Sequence, residues 1–390
     1  MKRTIIAGGN VILPDRVKKC DVLIENGMIS DVGALGEIPP DADIIDAGGM
    51  YVSPGFVEIH AHGGGGFDFM DSTVGAFDAI ARVHLSHGTT SIAPTTVACS
   101  REAMSKLFEL YRKVTAEKCR MSYLGLHLEG PYISLAQKGA QNPSFIHNPT
   151  KYEVDALMEE AGDIISMCTA APELCGIDYM AEAMLSNQIT LSVGHSDAVY
   201  SDVEKAVKMG FCHYTHLYSN TPTVRKINQV VYAGAREAAY LLDDMKIELI
   251  GDGHHVPKEV LLLALKVKGA DNINLTSDAM RAAGTNASES YLGEICPENR
   301  VIIEDGVAKL PDRSFYAGSI ATGDVMLRWA VRECGVGICD AVRMLSLTPA
   351  SIIGADKTKG SIERGKDADV LILDNDLNVK RVITGRGFKF

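Results

Sequence analysis

A chain of 390 residues, 46% of them hydrophobic, can bury a substantial core and is long enough for one large domain with an appendage or for two ordinary domains. Its 50 acidic and 38 basic side chains leave a formal charge of -12, which argues against a nucleic-acid surface, because phosphate backbones are gripped by excess Lys and Arg. An anionic small molecule would have to be met by a local basic pocket.

The opening stretch "MKRTIIAGGNVIL" is interrupted by Gly8, Gly9 and Asn10 and does not read as a signal-peptide core. No uncharged apolar run approaches the roughly 18 residues that span a bilayer. Nine cysteines occur singly, with no C-x-x-C pair, and read as reduced thiols. A cytoplasmic protein without a membrane partner is expected.

The first fifty residues alternate short strand-like runs with turn signals, among them Asn26-Gly27 as a hairpin turn. From residue 51 apolar runs alternate with amphipathic ones, the pattern of a parallel sheet with crossover helices. The expected strands are "YVSPGFVEIH", "TSIAPTTVA", "YLGLHLEG", "IISMCTAAPE", "ITLSVGHS", "FCHYTHLYS", "KIELIGDGHH" and "NINLTSDAM". Helices are expected at "REAMSKLFELYRKVTAE", "DYMAEAMLSN" and "PKEVLLLALKVKG". Eight such units over about 250 residues fit a TIM barrel. A hairpin at Asp305-Gly306 follows, then two helical runs, and the tail returns to short strands. Neither terminal β segment has a core of its own, so the two ends are expected to meet in one small domain, 1–52 with 357–390, beside a catalytic barrel at 53–356.

In a TIM barrel the C-terminal ends of the strands converge on one mouth. Those ends carry His60 and His62, Glu129, His195, His216, then Asp252, His254 and His255, and finally Asp278. In "GFVEIHAHGGGGFDF" the two histidines stand two apart, so both rings leave one face of a strand. Four histidines and two carboxylates make a nitrogen and oxygen ligand set for zinc or iron, with manganese or cobalt also suited, and for one or two ions. Glu129 could bridge two ions about 3.5–4 Å apart, with His195 and His216 on one and His60, His62 and Asp278 on the other. Gly63 to Gly66 would let the chain leave the strand without crowding the mouth or would form a plain loop.

These residues resemble the amidohydrolase superfamily and, within it, the N-acetylglucosamine-6-phosphate deacetylase family. The resemblance runs through "SPGFVEIHAHG", "LGLHLEGPYI", "KGAQNP", "VGHSDA", "THLYS", "GDGHHV", "TSDAMRAAG" and "KGSIERGKDADVLILD". It implies a metal-dependent (β/α)8 barrel with a small β-sandwich made from both chain ends, usually as a homodimer, that removes acetate from N-acetylglucosamine-6-phosphate. It also implies that Glu129, His195 and His216 form the shared metal site, that His60 and His62 serve a second ion, that Asp278 is the catalytic acid and base, and that His255 contacts the substrate. The chain departs from the family at Gln141, where many members place a histidine that polarises the acetyl carbonyl. It departs again at "SNTPTVRKINQ", where Ser219, Asn220 and either Arg225 or Lys226 stand for the family's phosphate grip. Tyr218 could stack on a sugar face.

The chemistry expected is attack of an activated water on the amide, with Asp278 taking the water's proton and passing it to the sugar nitrogen. The altered loop leaves open a different N-acylated substrate, such as N-acetylgalactosamine-6-phosphate or an unphosphorylated amino sugar. A non-catalytic amidohydrolase-like scaffold is the remaining class.

Overall fold

The computed structural model describes residues 3–34, 42–117 and 119–387. Residues 1–2, 35–41 and 388–390 of the expected terminal domain lie outside them, as does residue 118.

All eight expected strands form. We label them β1 (Phe56–Ala61), β2 (Thr89–Pro94), β3 (Leu126–Glu129), β4 (Ile165–Ala170), β5 (Thr190–Val193), β6 (Phe211–Tyr214), β7 (Lys246–Ile250) and β8 (Ile273–Thr276). Strands β3 to β8 make a six-stranded parallel sheet in chain order. Strands β1 and β2 pair in parallel in a second sheet. Isolated parallel bridges join the two arcs at both edges, Thr95 to His127 and Ala61 to Ala279, so the sheet curls back towards its own first strand.

The crossovers are helices for the reasons their sequences give. Ser100 caps Arg101–Ala116 by accepting the Ala103 N–H at 3.2 Å, and the buried positions Met104, Leu107, Phe108 and Tyr111 repeat at three- and four-residue intervals. Each of the large apolar side chains on that stripe stabilises its packing on the sheet by about 1.5–3 kcal/mol. Leu107→Ala would therefore cost about 2–5 kcal/mol. The helix stops at Glu117, whose backbone is already extended.

The two chain ends do meet. Val370–Leu373 lies antiparallel to Tyr51–Pro54 in one seven-stranded sheet that also holds Arg3–Ile12 and Val17–Glu25. Ile6, Val22, Val52, Val370 and Ile372 share its buried core. Asn26 and Gly27 take positive φ values of 52° and 82°, as the expected hairpin turn demands.

Two hairpins overlie the strand ends. Arg225–Ile227 pairs with Val230–Tyr232. After β8, Arg300–Glu304 and Val307–Lys309 flank the Asp305-Gly306 turn and are joined by a third strand, Glu289–Tyr291. That third strand had no signal in the sequence, because three residues are too few to show a period.

Candidate active site

The strand ends deliver the expected ligands to one buried cluster. His60 on β1 is fully buried and His62, just past it, is 2% exposed. Glu129 closes β3, while His195, His216 and Asp278 stand two residues beyond the ends of β5, β6 and β8. These last three all have positive φ, at 46°, 29° and 47°. A left-handed backbone on a non-glycine residue costs on the order of 1–3 kcal/mol and persists where surroundings impose it. Here it turns three side chains inward that a continued strand would send elsewhere.

Glu129 is the hub. Its Oε1 lies 2.9 Å from His216 Nε2, 3.2 Å from His195 Nε2 and 3.4 Å from His60 Nε2. Its Oε2 lies 3.4 Å from His62 Nε2. Asp278 Oδ1 lies 3.2 Å from His62 Nε2 and 3.6 Å from His60 Nε2. His195 is oriented from behind, its Nδ1–H donating to the Gln137 carbonyl at 2.8 Å.

Burial alone would raise the Glu129 carboxyl, yet His60 and His195 hold it well below the usual range. Asp278 is likewise raised by burial but held down by His60 and His62, so it is a carboxylate at neutral pH. Burial lowers His60 and His62, and the carboxylates around them more than reverse it.

This donor set suits a divalent cation. His60, His62 and Asp278 form one group of converging ligand atoms, and His60, Glu129 and His216 another. His60 Nε2 is buried without a hydrogen-bond partner, although it faces two carboxylates. Imidazole nitrogen with carboxylate oxygen, and no thiolate, matches zinc, iron, manganese or cobalt.

All of the cluster but His60 lines a cavity of about 680 Å³ whose wall also includes Gln141, Tyr218, Ser219, Asn220 and His255. Gln141 bridges two buried groups: its Nε2 donates to Glu129 Oε2 at 2.7 Å and its Oε1 accepts the Ala98 N–H at 2.8 Å. His255 donates Nδ1–H to Asp252 at 2.7 Å and packs on Tyr316, while His254 does not reach the cavity wall. Asp252 also accepts both backbone N–H groups of His254 and His255, which fixes the loop.

Arg225 is not on that wall. It pairs with Asp197 at 2.6 Å and also donates to the Asp197 carbonyl. The cations that share the cavity are Lys309 and Arg313, on the hairpin after β8 and the loop that follows it. Sequence reasoning missed them because nothing near 309–313 resembles a motif; only the fold of the hairpin brings them to the mouth. The glycines also have a sharper role than expected. Gly63-Gly64 pairs with Phe67-Asp68, Gly65 and Gly66 turn at φ of 65° and 90°, and a Cβ on Gly63 would lie 2.2 Å from the Phe67 carbonyl oxygen. They are required by a tight hairpin beside the site and do not line the cavity.

The profile of the amidohydrolase family matches residues 51–386. N-acetylglucosamine-6-phosphate deacetylase of Danio rerio is 31% identical over 342 residues, covering 86% of this chain and 83% of the relative. That of Lysinibacillus sphaericus is 29% identical over 369 residues, covering 94% and 92%. The Pasteurella multocida deacetylase structure superposes with a TM-score of 0.92 at 26% identity, covering 100% of this chain and 99% of that one. A mutant of the Mycobacterium smegmatis deacetylase in complex with N-acetyl-D-glucosamine-6-phosphate gives 0.90 at 27% identity, covering 99% of each chain. The chain belongs to the amidohydrolase family and, within it, to the N-acetylglucosamine-6-phosphate deacetylases.

Proposed function

We propose that this protein hydrolyses the acetamide of N-acetylglucosamine-6-phosphate, releasing acetate and glucosamine-6-phosphate. The observation that carries the reading is the convergence of His60, His62, Glu129, His195, His216 and Asp278 in one buried cluster, all but His60 lining one cavity, in a chain of this family. When bound there, one or two divalent ions, zinc or iron first, supply Lewis acidity that acidifies water and polarises a carbonyl.

An amide resists hydrolysis because its carbonyl is a poor electrophile and its nitrogen a poor leaving group. Asp278, ionised and at the rim of the cluster, takes a proton from the attacking water as the new C–O bond forms. It returns that proton to the nitrogen as the C–N bond breaks. Gln141 holds the Glu129 carboxylate in place, and this use of its amide favours a positioning role over direct polarisation of the acetyl group. Ser219, Asn220 and His255 face the sugar from the wall. Lys309 and Arg313 are better placed than Arg225 to meet a phosphate within the same chain, since both border the cavity.

Residues 53–356 form the (β/α)8 catalytic barrel in this reading, and 1–52 with 357–390 a small β-sandwich folded over the Ile6–Val370 core. The hairpin at 225–232 exposes Ile227, Val230 and Val231, which favours a homodimer in which that hairpin is covered. The nine free cysteines favour a cytoplasmic setting. No helix among the described residues is long and apolar enough to cross a membrane.

Acetate release by the metal-loaded protein tests the reaction, with Asp278→Asn as the control that should slow it by about 10²–10⁴-fold. Metal-loaded wild type that releases no acetate would overturn the reading.

A further inference from the structure

Barrel interiors are normally packed with Val, Ile and Leu. This one has a carboxylate beneath the metal cluster, Glu248 on β7, with no exposed surface. A buried carboxylate is costly unless its lone pairs are used, and each of its oxygens has a donor. Glu248 Oε1 accepts His60 Nδ1–H at 2.8 Å and the His216 backbone N–H at 3.1 Å. Glu248 Oε2 accepts Asn274 Nδ2–H at 2.9 Å.

The contact to His60 has a chemical consequence. An imidazole can offer one lone pair from either ring nitrogen, and the proton's position decides which. In the neutral imidazole that a metal requires, Nδ1–H committed to Glu248 leaves the lone pair of His60 on Nε2, the atom that faces Glu129 and Asp278 without a hydrogen-bond partner. The same Oε1 tethers the backbone of His216, whose φ of 29° needs such restraint. Glu58, the other buried carboxylate nearby, makes no such contact. It accepts the His60 backbone N–H at 3.0 Å, the Ser277 N–H at 2.9 Å and the Thr276 hydroxyl at 2.5 Å, and so fixes strand ends without touching an imidazole.

We propose that Glu248 is the positioning residue that makes His60 a metal ligand, and thereby decides whether the site holds a second ion. The inference rests on the metal-site reading above and is independent of the substrate. Carboxylates that hold a ligand histidine typically change metal affinity by about 10–100-fold when removed.

The test uses full-length protein stripped with chelator and titrated with zinc, with bound ions counted by elemental analysis. Four forms are compared: wild type, His60→Gln, Glu248→Ala and Glu248→Gln. Wild type should hold two ions and His60→Gln one. Glu248→Ala should behave like His60→Gln, its second ion weakened about 10–100-fold and its first retained. Glu248→Gln should recover much of the second site, because its amide oxygen can still accept from His60, and its NH2 can meet Asn274 Oδ1, now without a partner, once that amide turns over. Rescue by the amide shows that an acceptor suffices without the charge, and a fifth form, Glu248→Met, which fills similar space with no acceptor, should bind like Glu248→Ala, whereas a merely space-filling role would let it bind like wild type.

Three results would overturn the proposal: Glu248→Ala taking up two ions as tightly as wild type, Glu248→Ala losing both ions in parallel, or Glu248→Gln faring no better than Ala. Wild type that holds one ion, indistinguishable from His60→Gln, would overturn it together with the two-ion reading. Failure to release acetate from a protein that holds two ions would instead count against the proposed function and leave the role of Glu248 standing.

Discussion

Gln141 offers the sharpest energetic prediction, because both ends of its amide are engaged and the residue is only 4% exposed. Replacing it by Ala removes a hydrogen bond to an ionised carboxylate, for which about 1.5–3 kcal/mol is typical. It also leaves the Ala98 N–H buried with no acceptor, a further cost of about 1–3 kcal/mol. Together these predict that metal-free Gln141→Ala is less stable than wild type by about 3–5 kcal/mol. Gln141→Glu keeps the shape and the acceptor for Ala98 but sets a carboxylate oxygen where the amide donor was, 2.7 Å from Glu129 Oε2. Two carboxylates that close cannot both ionise, so one must hold a proton. That variant should therefore lose stability as pH rises, whereas the Ala variant should not show this added dependence. Urea unfolding at pH 5.5 and 8, followed by circular dichroism, measures both. A Gln141→Ala protein within about 0.5 kcal/mol of wild type, the range of an ordinary surface change, would refute the claim that this amide holds the Glu129 carboxylate.

Three further outcomes follow from the same geometry. Asp278→Asn should lower kcat/KM by about 10²–10⁴-fold, the usual worth of a positioned acid and base, while bound metal measured by elemental analysis changes far less. Lys309→Ala with Arg313→Ala should raise KM for the phosphorylated sugar and leave the unphosphorylated one unaffected, whereas Arg225→Ala should do neither if its ion pair with Asp197 is its whole role. Asp324 is raised by burial but held down, to about 2, by His87 and Thr322 hydrogen bonds, with Arg328 beside it. Because its folded value is depressed, the stabilisation is present above the unfolded aspartate value near 4 and is lost as pH falls towards 2. Asp324→Asn should cost about 2 kcal/mol at pH 7 and progressively less below pH 4 in urea unfolding.

The curled parallel sheet was legible because its strands are short apolar runs, most of which end in a polar residue, and topology sends those ends to one place. His60, Glu129 and Asp278 could thus be grouped before any geometry was known. The left-handed backbones of His195, His216 and Asp278 could not be read, since strain is imposed by surroundings and leaves no mark in residue type. Glu248 was missed for a related reason: a glutamate in "KIELI" reads as an outward-facing charge, and only the inward side of β7 shows it beneath two histidines. Arg225 shows the converse limit, a motif position that the fold of a single chain does not bring to the cavity. A cation in the loop that matched the family's phosphate grip was an obvious candidate, yet it lies off the cavity wall, paired with Asp197, while Lys309 and Arg313, themselves paired with Asp305 and Glu304, border the cavity from sequence that carries no motif.

The central claim is tested most directly by acetate release from the zinc-loaded protein with N-acetylglucosamine-6-phosphate, its unphosphorylated form and N-acetylgalactosamine-6-phosphate. The account predicts the highest kcat/KM for the first. A higher value for either of the others would contradict the substrate assignment, and no release from any of them by a protein that holds metal would contradict the deacetylase itself.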